Sequence, residues 1–282
     1  MSIVMNESFA TDAKGRPAYS PGLEGVIAGE SALCLVDEGE AGLLYRGYPI
    51  RDLAEHGTVE EVAYLLLFGH LPNQKELRDF SAQLIDYAVL PPLLEVFLGA
   101  APSSAHPMDI VRTGVSLLGM VDSDAADHSH DANVRKSVRL LAQIPLLVAT
   151  AYRLVNGKPR VRPGEDLGFA ENLLHFLTDR KGDDQAKAMA RVLDVSLMLY
   201  AEHEFNASPF AARVTASTMT DLHSAVTSAI GTLKGPLHGG ANEAVAEMFL
   251  DIGSPERAET WVRQALAKRR RIMGLDRKST RL

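Results

Sequence analysis

The segment TVEEVAYLLLFG, Thr58 to Gly69, decides the fold class. Thr58 and Glu61 stand three apart ahead of an apolar run, the capping-box pattern of a helix start. The run Val62–Phe68 has helical rather than alternating periodicity, and Gly69 supplies the residue that most readily closes a helix. The pattern recurs downstream. Asn73 and Glu76 form a second box, followed by the buried stripe Leu77, Phe80 and Leu84. Pro107 suits the first position of a helix carrying Ile110, Val111, Val115 and Leu118.

A long helix is predicted from about Asn133 to Val155, stopping at Asn156-Gly157, with Pro145 expected to kink or break it. After the Pro/Gly loop 158–168, helices are read over Phe169–Leu177 and Gln185–Glu204. Another is read from Pro209 to about Leu233, then Ala241–Leu250, and a last one from Ser254-Pro255. That last helix has the amphipathic stripe Ala258, Trp261, Val262, Ala265 and Leu266. Upstream of Thr58 the pattern changes. Ala32–Val36 and Leu43–Tyr45 read as two short strands joined by a turn at Asp37-Glu38-Gly39-Glu40. No strand alternates regularly with the helices, so the class is all-α with a minor β-hairpin. Three regions result: 1–57 with the hairpin, a helical body over 58–267, and a basic tail over 268–282.

Composition supports a globular chain. Of 282 residues, 46% are hydrophobic and 23% charged, which excludes disordered and collagen-like classes. No apolar run reaches the length of a bilayer span, the longest clean stretch being Ile144–Ala151. The N-terminus lacks the basic start and apolar core of a signal peptide. The single cysteine, Cys34, removes any disulfide framework and suits a cytoplasmic location. Cys34 lies in the first strand without a local base, so it reads as a packed core thiol rather than a nucleophile. The net charge of −7 is uneven: Lys268–Leu282 holds seven Lys/Arg and one Asp, leaving −13 on the remaining chain. An acidic body argues against general nucleic-acid binding.

The chain lacks GxGxxG, GxxxxGK[ST], GxSxG, HExxH and CxxC. The loop DSDAADHSHD, Asp122–Asp131, fails the EF-hand pattern. His128 and His130 there suggest a metal site less well than a solvated loop ahead of a helix. Two other histidine segments say more. In YAEHEFNAS, Tyr200–Ser208, His203 and Asn206 stand at a helix junction where they can donate hydrogen bonds to a small anion. The same residues equally suit a cluster that caps helix ends. In KGPLHGGANE, Lys234–Glu243, glycines flank His238 just before a helix start. Such a histidine can polarise a carbonyl without transferring a full proton. The alternative is a glycine turn with an incidental histidine.

These segments resemble the citrate synthase family: GPLHGGANE its catalytic histidine loop, and YAEHEFNAS its oxaloacetate-binding histidine segment. LLYRGYPIRDLAE (Leu43–Glu55), EEVAYLLLFGHLP (Glu60–Pro72) and HPMDIVRTGVS (His106–Ser116) are similar to family sequence in the same order. HEFNAS and HPMD are most similar to its bacterial 2-methylcitrate synthase branch. The resemblance implies a helical homodimer with no metal and no permanently bound cofactor. It implies condensation of an acyl-CoA, propionyl-CoA or acetyl-CoA, with oxaloacetate. In that chemistry an Asp removes the thioester α-proton. His238 would stabilise the enol, His203 would hold the oxaloacetate ketone, and Asn206 would assist. Arg270, Arg271, Ile272, Met273 and Gly274 match the segment lining the coenzyme A site, where arginines suit phosphates. Lys268–Arg271 would equally complement a helix dipole.

After Gly274 the family continues with Phe-Gly-His-Arg-Val-Tyr-Lys, whereas this chain has Leu275-Asp276-Arg277-Lys278 and four more residues. The second catalytic histidine, the catalytic Asp, the oxaloacetate-binding arginines and most of the small domain then have no counterparts. The expectation is a truncated family member, inactive or nearly so alone. The competing class is a non-enzymatic helical dimerisation or binding module with a basic tail.

Overall fold

The computed structural model describes residues 29–36, 42–164, 166–270 and 272. The chain divides into two compact units, 1–32 and 33–282. Of the first only 29–32 are described, and they are irregular. The second holds all the strands and helices described.

Three short strands open it: β1 (Cys34–Val36), β2 (Leu43–Tyr45) and β3 (Tyr48–Pro49), antiparallel in sequence order. Cys34 stands opposite Tyr45, and Leu35 opposite Leu44. The expected hairpin is present, with β3 added. Its turn at 37–40 lies outside the described residues.

The first helices are α1 (Ile50–His56), α2 (Val59–Phe68), α3 (Gln74–Tyr87), α4 (Pro92–Ala100), α5 (Pro107–Val121) and α6 (His130–Val155). Then come α7 (Phe169–Thr178), α8 (Asp184–Leu199), α9 (Ala207–Ala216), α10 (Leu222–Leu233), α11 (Gly240–Ile252) and α12 (Pro255–Ala267). The class is all-α.

Local signals account for most starts. Glu61 accepts the Thr58 N–H at 2.8 Å and its own N–H donates to the Thr58 hydroxyl at 3.3 Å. Gly69 closes α2 at φ 87°. Asn73 and Glu76 form the second box. Pro107 is the first residue of α5, and the His106 ring accepts the Met108 N–H.

The structure departs from the sequence expectation: α1 and α4 are additional helices, and α9 starts at Ala207 rather than Pro209. α6 starts at His130, because Ser129 caps it by accepting the Ala132 N–H. It also runs unbroken through Pro145. A proline removes one backbone hydrogen bond, but Ala142, Leu146 and Leu147 are buried on either side and hold the segment helical. α8 ends at Leu199, not Glu204. The stretch expected as one helix after Pro209 is two, separated at Ser217–Asp221, where Met219 has φ 62° and Asp221 caps α10.

The core has three main clusters. α4, α5, α6 and α10 share one around Leu94, Leu98, Val115, Leu118 and Leu147. The strands join α1, α2 and α8 through Tyr45, Leu53, Val62, Leu65 and Met198. A third links α2, α3 and α6. By length and mean hydropathy α6 is the one described single helix capable of crossing a membrane. It packs against α3, α5, α7 and α10, and it buries Lys136 and Arg153.

Candidate functional site

The strands hold the segment that carries His203. Tyr45 is fully buried, and its hydroxyl lies 3.0 Å from the carbonyl oxygens of both Met198 and Glu202. The same hydroxyl accepts the Glu202 N–H at 3.1 Å. Glu204 donates its N–H to the Cys34 sulfur at 3.1 Å, and its carboxylate accepts the Val36 N–H at 3.0 Å. These bonds capture the chain as it leaves α8, which is why that helix stops short. Glu204 takes φ 57° in the resulting bend. Burial pushes the Cys34 thiol up to about 11, so it stays protonated, consistent with a packed cysteine.

His203 itself is exposed. Asn206 caps α9 by accepting the Ser208 N–H at 3.1 Å. The capping reading therefore holds for its carbonyl oxygen.

The His238 loop is a compact turn built on the end of α10. His238 N–H donates to Gly235 O at 3.0 Å, Gly239 N–H to Leu233 O at 2.9 Å, and Gly240 N–H to Gly235 O at 3.2 Å. A Cβ at Gly239 would sit 2.4 Å from Leu233 O, so only glycine permits this approach. α11 begins at Gly240, two residues beyond the imidazole.

The two histidine segments meet through Ser208. Its hydroxyl lies 2.7 Å from His238 Nε2. Ser208 stands two residues past Asn206 in the same quoted segment, but nothing in the sequence pattern separated it from a cap residue. The loops come together; among the described residues no hydrogen bond joins His203 to His238. Ser208 thus occupies one of the two ring nitrogens, Nε2.

Arg270 is exposed beyond the end of α12. It lies over the Trp261 ring at 5.2 Å and 3.8 Å from Asp251. Trp261 donates to Asp251 at 2.7 Å. Ile272 is half-buried. Arg271, Met273 and Gly274 lie outside the described residues.

The Asp/His loop is organised by ion pairs. Arg139 bridges Asp122 and Asp124 at 2.7 and 2.9 Å. Arg135 and Arg139 hold the Asp124 carboxyl down near 2. Among the described residues no group of three His, Cys, Asp or Glu is arranged to hold a metal, so His128 and His130 gain no companions. An apolar cavity of about 510 Å³ lies among Val62, Leu66, Leu140, Ile144 and Val226. Tyr200 and Ala201 reach it, but neither His203 nor His238 lines it.

Comparison with known proteins places this arrangement. The family described as citrate synthase, C-terminal domain, matches residues 22–280. Citrate synthase 2 of Bacillus subtilis is 44% identical over 255 residues, covering 90% of this chain and 67% of the relative. A 2-methylcitrate synthase of Mycobacterium tuberculosis is 43% identical over 264 residues, covering 92% and 65%. The crystal structure of citrate synthase from Pyrobaculum aerophilum matches with a TM-score of 0.79 at 37% identity, covering 92% of this chain and 67% of that one. The enzyme from Thermoplasma acidophilum, solved with carboxymethyl coenzyme A and oxaloacetate, matches at 0.82 and 28% identity, covering 91% and 67%. The chain spans about two thirds of the length of the curated relatives it matches. On the family match, the identities and the shared helical framework, this chain belongs to the citrate synthase family.

Proposed function

We propose that this chain carries the His238 part of a Claisen-type condensation between an acyl-CoA and oxaloacetate. The observation that carries the reading is the contact between Ser208 and His238 Nε2, which joins the two histidine segments. If the Ser208 hydroxyl donates to Nε2, then Nδ1 bears the proton. A positioned N–H there stabilises the enolate oxygen formed when a base removes the thioester α-proton. The enolate carbon attacks the ketone of oxaloacetate, whose oxygen His203 is proposed to hold with Asn206. Water then cleaves the thioester, releasing CoA. Acetyl-CoA yields citrate and propionyl-CoA yields 2-methylcitrate; both relatives' names support the pair, and we propose propionyl-CoA as a substrate beside acetyl-CoA. Arg270 and Arg271, with Ile272, Met273 and Gly274, are proposed to meet the CoA phosphates and nucleotide. The working form is proposed to be a cytoplasmic homodimer without metal.

The chain spans about two thirds of the length of these relatives, so the test supplies the remaining third. The test joins residues 33–272 to the C-terminal third of the Bacillus subtilis relative. Thiol release dependent on oxaloacetate is expected, with His238→Ala lowering kcat by roughly 10²-fold or more. A folded fusion that releases no thiol, or one indifferent to His238→Ala, overturns the reading.

A further inference from the structure

The HPMD segment at the start of α5 has no role in the chemistry above, yet its aspartate reaches the catalytic loop. Asp109 Oδ2 lies 2.6 Å from Lys234 Nζ, across 125 residues of sequence. Lys234 is the residue that ends α10 and begins the His238 turn. The other Asp109 oxygen lies 3.0 Å from Arg112 on the next turn of α5. Asp109 is thus a single carboxylate between two cations, in the first turn of a helix where negative charge is favoured. The Lys234 pairing is the main cause holding its carboxyl below the usual range.

We propose that Asp109 is a positioning residue for His238, acting through Lys234. The proposal rests on the condensation reading for its functional meaning, but not for its structural content. The argument is mechanical. Leu233 and Gly235 flank Lys234, and they accept the backbone bonds that close the turn from Gly239, His238 and Gly240. The turn is tied to itself, so a displacement of Lys234 is passed to His238 and to its bond with Ser208. α5 and α10 run antiparallel and are joined at both ends. At the other end His223 Nε2 lies 3.3 Å from Asp122. Removing the Asp109 charge leaves Lys234 and Arg112 as facing cations, which drives the lysine away from α5. The pair is about one third exposed on each side, and exposed pairs contribute little to global stability. Its effect is local geometry, to which catalytic groups are far more sensitive.

The test is histidine ring NMR on the full chain, with the His238 signal assigned by its loss in His238→Gln. Asp109→Asn and Lys234→Met are each expected to displace that signal in the same direction, and the double variant no further than either single one. Lys234→Arg is expected to keep the native position. Unfolding midpoints should move little. An unmoved His238 signal in Asp109→Asn, or additive displacements, overturns the proposal. Should Asp109→Asn not fold, Lys234→Met against Lys234→Arg decides it alone. In the fusion described above, Asp109→Asn is expected to lower kcat roughly tenfold with the KM for oxaloacetate unchanged. A displaced signal in an inactive fusion sustains the clamp and sinks the condensation reading instead.

Discussion

Gly239 shows at the residue scale why this loop is written in glycine. Its φ is −64°, a value any residue adopts, so conformational freedom is not the reason. The reason is space. A Cβ would meet Leu233 O at 2.4 Å and the Leu233 side chain at 2.7 Å. Gly235 is less confined, with Thr232 O at 3.2 Å. Gly239→Ala is therefore expected to break the Gly239–Leu233 hydrogen bond and lower stability by about 1–3 kcal/mol, measured by urea unfolding. Gly235→Ala should cost less. Equal stabilities for Gly239→Ala and the parent would mean that the turn yields freely, and that the backbone contact is not what holds His238.

At the scale of elements, the junction between α8 and α9 is set by a strand. Tyr45 reaches from β2 to the carbonyls of Met198 and Glu202 and to the Glu202 N–H. The Met198 carbonyl also accepts the Ala201 N–H at 3.2 Å, so the Glu202 N–H and carbonyl are the groups that depend on Tyr45. Tyr45→Phe keeps the ring in the core and leaves the half-buried Glu202 N–H and carbonyl without their shared partner, at an expected cost of about 1–3 kcal/mol in denaturant unfolding. It should also raise amide exchange over 199–204 while leaving α2 and α3 protected. A variant with native exchange in that segment would show that packing, not the hydroxyl, ends the helix.

For the molecule as a whole, α5, α6 and α10 meet at a buried polar knot. His223 is 2% exposed and stands between Asp122 at 3.3 Å and Asp221 at 3.8 Å, with Lys136 and Arg139 on α6 facing it. Burial depresses its affinity for a proton most, and Asp122 and Asp221 only partly restore it. His175, also buried, shifts in the same direction. The folded state therefore binds fewer protons than the unfolded chain near the ordinary histidine value of 6.5. The stabilising contribution is complete above that value and is lost as the pH falls below it. The unfolding midpoint is expected to drop between about pH 7.5 and about pH 5.5. His223→Asn, less stable at neutral pH, should show a shallower drop. A flat profile over that range would place both imidazoles in contact with water.

The class of fold and most helix starts were legible in the sequence, because they depend on residues within one turn of each other. Thr58 with Glu61, Asn73 with Glu76, and Pro107 each act on their own backbone. The motif GPLHGGANE was legible for the same reason, being continuous. The places where α8 stops and where α9 parts from α10, and the bonding partners of His238 and Lys234, were decided only by tertiary structure. Tyr45 acts on Glu202 over 157 residues, and Asp109 on Lys234 over 125. Periodicity and capping carry no information about such pairs, since either partner alone looks like an ordinary polar residue at a helix end. Packing of α5 against α10, and of the strands against α8, brings them within bonding distance.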